Sequence, residues 1–218
     1  MNKHTLAILT LLGAMVFLGV LLIPAMREKY LELTFDFSHQ NTRVNSQEEI
    51  EKILRSYPTL SFSELNNPYK EWTKSNEDKY KNILKNSQYR LIHQEDFFKK
   101  LVGDFRIKDF VCRDSVYRKC LFKKEKDYYW LIDENLPIAV LKLQHSLEEK
   151  GYNADGFGIR SAHRHPKKNE EVKGAGSSKH IKGQAIDMII GDIDKDGKYT
   201  QKDKEIVLEI CEKEVIGI

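Results

Sequence analysis

The sequence predicts an α+β fold: a small mixed or antiparallel sheet with helices packed on it. Three observations carry this expectation. One strong helical pattern spans residues 135–150, apolar strand-like runs stand on its C-terminal side, and no regular strand–helix–strand alternation joins them. A chain of 218 residues holds one sizeable core with appendages, and 40% hydrophobic with 32% charged residues suits a folded body. A net charge of +3 on this length is too small to point to nucleic acid, and none is expected as a partner.

The chain divides by texture into three parts. Residues 1–26 form a signal-anchor segment: Leu6 to Ile23 carries no charge, and only Thr10, Gly13 and Gly19 interrupt it. About 20 apolar residues span a bilayer core, and Ile23-Pro-Ala-Met is a poor cleavage site, so an uncleaved transmembrane anchor is favoured over a long-cored signal peptide. The following domain is then exported. Residues 27–95 read as a partly helical stalk or accessory region. Ser46-Gln-Glu-Glu49 is a capping box ahead of Ile50, Ile53 and Leu54, and Pro58 ends that helix. A second helix is expected over 75–85.

Residues 96–218 carry the dense apolar material. Tyr128–Ile132 reads as a short strand or the approach to a helix. Asp133 or Asn135 caps the 135–150 helix, Pro137 sits in its first turn, and Gly151 follows its end. Strands are expected over 157–161 and 184–190, with a polar loop over 166–179 between them and a last helix over 203–214. Cys112 and Cys120, separated by seven residues, suit either a disulfide in an oxidising compartment or free thiols.

The chemistry concentrates in Ser178-Lys-His-Ile-Lys-Gly-Gln-Ala-Ile-Asp187. Asp187 within the apolar run 185–190 is costly unless paired or coordinated, and Gly183 lets the chain turn so that His180 reaches the same point. A solvent-facing aspartate on an edge strand beside a loop histidine fits the same spacing. The segment resembles the metal-binding motif Ser-x-His-x-x-Gly-x-Ala-x-Asp of zinc D-alanyl-D-alanine carboxypeptidases, a group that includes D,D-dipeptidases and cell-wall endopeptidases. Ser161-Ala-His-Arg-His-Pro-Lys-Lys-Asn169 is similar to the family's Ser-Gly-Tyr-Arg-x-Pro-x-Tyr-Asn segment, with Ala162-His163 and Lys168 as departures.

The resemblance, over about residues 128–190, implies Zn2+ on His180 and Asp187, and Arg164 on the substrate's carboxylate. It implies peptidoglycan stem peptides as substrates, and together with the N-terminal anchor this gives an extracytoplasmic, membrane-anchored setting in a bacterium as the expectation. It also implies a third ligand, a histidine, and a carboxylate base further along, yet none of the seven histidines follows Asp187. A C-terminally incomplete domain is therefore expected, with His163 or His165 as substitute ligands the less favoured reading. The function expected is hydrolysis of the D-Ala-D-Ala type, with an inactive relative serving as a wall-binding or scaffold module as the alternative. Finally, residues 192–203 fit an EF-hand-type Ca2+ loop with Asp192, Asp194, Asp196, the Lys198 carbonyl and Asp203 as ligands, and Gly197 at the sharp turn.

Overall fold

The computed structural model describes residues 19, 23–39 and 41–215. Among them no helix is long and apolar enough to cross a membrane. The anchor expected over 6–23 lies outside the described residues apart from Gly19 and Ile23.

Along the chain, α1 (Pro24–Ser38) and α2 (Gln47–Arg55) precede β1 (Thr59–Ser61), α3 (Asn67–Trp72), α4 (Asp78–Leu84) and β2 (Gln88–Ile92). Then come β3 (Lys100–Val102), β4 (Phe105–Arg106), α5 (Ile107–Phe110), α6 (Ser115–Leu121) and β5 (Tyr128–Trp130). The last part runs α7 (Asn135–Glu149), β6 (Phe157–Ser161), α8 (Pro166–Glu171), β7 (Asp187–Ile190) and α9 (Gln201–Ile210). The strands form three small antiparallel sheets, β1-β2-β5, β3-β4 and β6-β7, where the sequence suggested a single one.

The region expected as a stalk shares the core of the rest. β2 pairs with β5, and Ile50, Leu54, Tyr69 and Tyr80 belong to the same buried cluster as Trp130, Leu147 and Ile210. Helix α1 docks through charge. Lys108 Nζ reaches Glu28 (3.1 Å) and Glu32 (2.8 Å), and Arg106 reaches Glu32 (3.2 Å) and Asp36 (2.8 Å). The Lys108, Arg106 and Glu32 side chains are only 11–15% exposed, so water screens these pairs less than open surface pairs.

Local signals set most helix ends. The Ser46 hydroxyl accepts from Glu49 N at 3.2 Å, and Glu49 Oε2 accepts from Ser46 N at 3.1 Å, closing the capping box of α2. Helix α7 ends in left-handed Gly151 (φ +79°), with Tyr152 N donating to Leu147 O at 2.9 Å. Three expectations shift. Pro166 sits pre-organised in the first turn of α8, so part of the polar loop is helical. Strand β7 begins only at Asp187. Helix α9 starts at Gln201, earlier than expected, because Thr200 and Asp203 close a capping box. The cysteines are free: Cys120 Sγ faces the Asp127 carbonyl at 3.5 Å, while Cys112 stands beside Asp114 and His165.

Candidate metal centre

His180 lies on a single 3-10 turn, Lys179–Lys182, that ends in left-handed Gly183 (φ +65°). A Cβ on residue 183 would stand 2.3 Å from the Leu131 carbonyl oxygen, so only glycine fits there. The chain then runs to Asp187, which opens β7 opposite Ser161. His180 Nδ1 donates to the Ala162 carbonyl at 2.6 Å, which in the neutral ring puts the lone pair on Nε2. That nitrogen faces Asp187 Oδ1 at 3.3 Å. Arg164 donates from Nε to Ser161 Oγ at 2.9 Å and ion-pairs through Nη2 with Asp187 Oδ2. Arg164 N also donates to the His180 carbonyl at 3.0 Å, tying the two motif segments together.

The loop leading to His180 is pinned by buried Asn169. Its Nδ2 donates to Ala175 O at 2.9 Å, its carbonyl accepts from Gly174 N at 2.8 Å, and a Cβ on residue 174 would meet Asn169 Oδ1 at 2.2 Å. The three residues singled out for zinc and substrate thus stand together.

The donor chemistry suits a zinc ion. Two ligands at about 2.0–2.1 Å in a tetrahedron lie roughly 3.3 Å apart, which is the His180–Asp187 separation. The Nδ1 bond to a backbone carbonyl is the outer partner that metal-bound histidines use. Among the described residues no third His, Cys, Asp or Glu donor closes with these two.

His163 and His165 do not fill that place. His165 Nδ1 meets Asp114 Oδ2 at 2.7 Å, and its Nε2 meets the Tyr69 hydroxyl at 2.8 Å. The Tyr69 proton goes to Tyr129 O (2.7 Å), so the hydroxyl accepts from Nε2 and both ring nitrogens of His165 carry hydrogen. Burial disfavours this charge, but Asp114 outweighs it and pushes the His165 pKa up to about 10. Burial likewise works against the Asp114 carboxylate, yet His165 and the N–H groups of Val116 and Tyr117 bring it down to about 2. The donor atoms of Cys112, Asp114 and His165 lie within 4.8 Å of one another, but His165 has no lone pair to offer. The cluster is a buried ion pair beside a thiol. His163 packs edge-on to His165 at 5.0 Å between ring centroids. Burial, with the His165 charge, holds its pKa well below the usual imidazole range, and its Nδ1 has no hydrogen-bond partner among the described residues.

In the 192–203 loop, Asp192, Asp194 and Asp196 each bring one carboxylate oxygen within 4.8 Å of the others. Gly197 takes the left-handed turn (φ +80°) and donates to Asp192 Oδ2 at 3.0 Å, and Lys198 N donates to Asp196 Oδ1 at 2.8 Å. Asp203 is placed differently. It is fully buried, Oδ1 accepting from Ile193 N and Asp194 N and Oδ2 from Thr200. Both its oxygens close the loop backbone rather than join the other three carboxylates.

Residues 104–207 match the family model described as Peptidase M15. The matched stretch runs from the β3-β4 turn into α9 and holds His180, Asp187, Arg164 and the Asp114–His165 pair. No curated protein and no solved structure matches the chain. Sequence reasoning missed Asp114 and His165 as a pair. Asp114 ahead of the apolar α6 was readable as a helix cap, but nothing local announces a partner 51 residues away.

Two predictions follow from this geometry. Gly183→Ala will lose at least about 2 kcal/mol in urea unfolding, since it adds left-handed strain and a backbone clash; a loss under about 0.5 kcal/mol would contradict the assigned turn. The second concerns pH. The His165 pKa rises from 6.5 to about 10 on folding, so its stabilisation is full below pH 6.5 and lost as pH climbs toward 10. The melting-temperature gap between wild type and His165→Gln will therefore shrink across that window, and a constant gap would refute the buried imidazolium.

Proposed function

We propose that the chain is a zinc-dependent peptidase of the D-alanyl-D-alanine carboxypeptidase type acting on peptidoglycan stem peptides. The observation that carries this is the 3.3 Å approach of His180 Nε2 and Asp187 Oδ1 with Arg164 beside them, inside the segment matching Peptidase M15. When bound, zinc supplies a Lewis acid for the scissile carbonyl and acidifies a water molecule. His180 would bind the ion through Nε2, with Nδ1 donating to the Ala162 carbonyl. Asp187 contributes Oδ1, while its Oδ2 holds Arg164 at the mouth of the site. The guanidinium is suited to a peptide's terminal carboxylate because its planar fork matches two oxygens at once. An exported, membrane-anchored setting fits such a substrate and the apolar run over 6–23.

A second reading, an inactive wall-binding relative, draws on the fact that only two donors close together among the described residues. We also propose Ca2+ on Asp192, Asp194 and Asp196, with the Lys198 carbonyl, as a structural clip between β7 and α9. Asp203 then shapes the loop through its backbone bonds.

Calorimetric zinc titration will show at least about tenfold weaker binding in His180→Ala and in Asp187→Ala. Equal affinities in wild type and both variants would remove the zinc assignment, and tight binding without hydrolysis of a D-Ala-D-Ala peptide would favour the second reading. For calcium, melting in excess calcium against EGTA will differ by about 5 °C or more in wild type. The difference will vanish in Asp192→Ala, and a wild-type curve indifferent to EGTA would contradict the clip.

A further inference from the structure

The cleft in front of Asp187 has a volume of about 530 Å3, and its rim carries more positive charge than one terminal carboxylate requires. Arg113, Arg160, Arg164 and Lys168 line it against only two carboxylates, Asp109 and Asp187. Both carboxylates are already engaged. Asp187 holds Arg164, and Asp109 Oδ2 accepts from Arg106 N at 2.9 Å. Lys168 reaches Glu171 at 3.1 Å. The side chains of Arg113 and Arg160 are exposed and make no hydrogen bond or ion pair with the described residues.

Both arginines are placed by built structure. On β6, Ile159 pairs with Met188 and Ser161 with Asp187, so two steps on β6 match one on β7 and Arg160 is the extra residue of a bulge. A bulge beside a functional site re-aims the side chain it inserts. Here it turns Arg160 into the cleft next to the strand partner of Asp187. Arg113 directly precedes Asp114, whose carboxylate caps α6 and is locked to His165, so its backbone is anchored from two sides. Unpaired guanidinium groups around a concave mouth focus a positive potential where a ligand enters.

We infer that Arg113 and Arg160 form a second anionic subsite, so that the preferred substrate is an acidic peptide carrying a carboxylate besides the one Arg164 would hold. This rests on the peptidase reading above and adds a specificity to it. A substrate with only its terminal carboxylate leaves the two arginines solvated, whereas a side-chain or branch carboxylate gains charge-assisted hydrogen bonds.

The test uses the full chain and two synthetic peptides ending in D-Ala-D-Ala, identical except that one carries a glutamate where the other has glutamine. Binding of each is measured by calorimetry at low and at high salt. For wild type the acidic peptide binds at least about fivefold more tightly at low salt, a ratio that salt reduces. In Arg113→Gln/Arg160→Gln, checked for an unchanged melting temperature, the ratio falls to near one. In Arg164→Gln both peptides weaken while the ratio persists. Binding of both peptides with a wild-type ratio near one, or a ratio that survives in the double variant, overturns the subsite alone. Failure of both peptides to bind wild type overturns the peptidase reading and the subsite with it.

Discussion

The backbone of Leu131 passes so close to residue 183 that only a hydrogen fits on that α-carbon. The rest of the site follows from this contact. A left-handed residue at 183 ends the 3-10 turn and reverses the chain, so the imidazole before it and the carboxylate after it converge. Gly183 also accepts from Asp133 N at 3.1 Å through its carbonyl, which ties the turn to the entry of α7. Without that anchor nothing in the sequence from 180 to 187 would hold two polar donors together at the edge of an apolar strand.

A second layer of support lies behind the motif. His165 and Asp114 are a buried charge pair, and such pairs contribute mostly by being costly to break. Here each partner has further duties. Asp114 caps α6, and His165 bonds Tyr69, which in turn bonds β5 through the Tyr129 carbonyl. The segment 161–165, which supplies Ser161, the Ala162 carbonyl and Arg164 to the site, is thereby fixed at its far end. The neutral His163 lies between this charge and the cleft, and its low pKa follows from that position.

What was legible in the sequence is what is local. The capping box of α2, the Gly151 end of α7, strand β6 and the meeting of His180 with Asp187 through Gly183 all rest on spacings of a few residues. The N-cap of α7, by contrast, is Glu134, without a side-chain capping bond, rather than the expected Asp133 or Asn135. The integration of residues 27–95 was not legible, because β2 pairs with β5 across about forty residues and α1 is held by ion pairs to Arg106 and Lys108 as well as by Phe35 and Leu31 against the core. Their polar composition resembles a solvated stalk when the partners are unknown. The role of Asp203 was hidden for a different reason: in a loop of alternating aspartates, spacing does not distinguish a carboxylate facing a cation from one facing backbone N–H groups.

Among the described residues, and apart from the 192–196 aspartates, two donor clusters compete for a zinc ion, and they differ in kind. His180 and Asp187 offer one nitrogen and one oxygen 3.3 Å apart. Cys112, Asp114 and His165 offer a thiol but an imidazole already doubly protonated. Zinc K-edge X-ray absorption on the zinc-loaded chain separates them directly. The account predicts only nitrogen and oxygen scatterers at about 2.0–2.2 Å with an imidazole signature. A sulfur shell at about 2.3 Å would place the metal on Cys112 and contradict it.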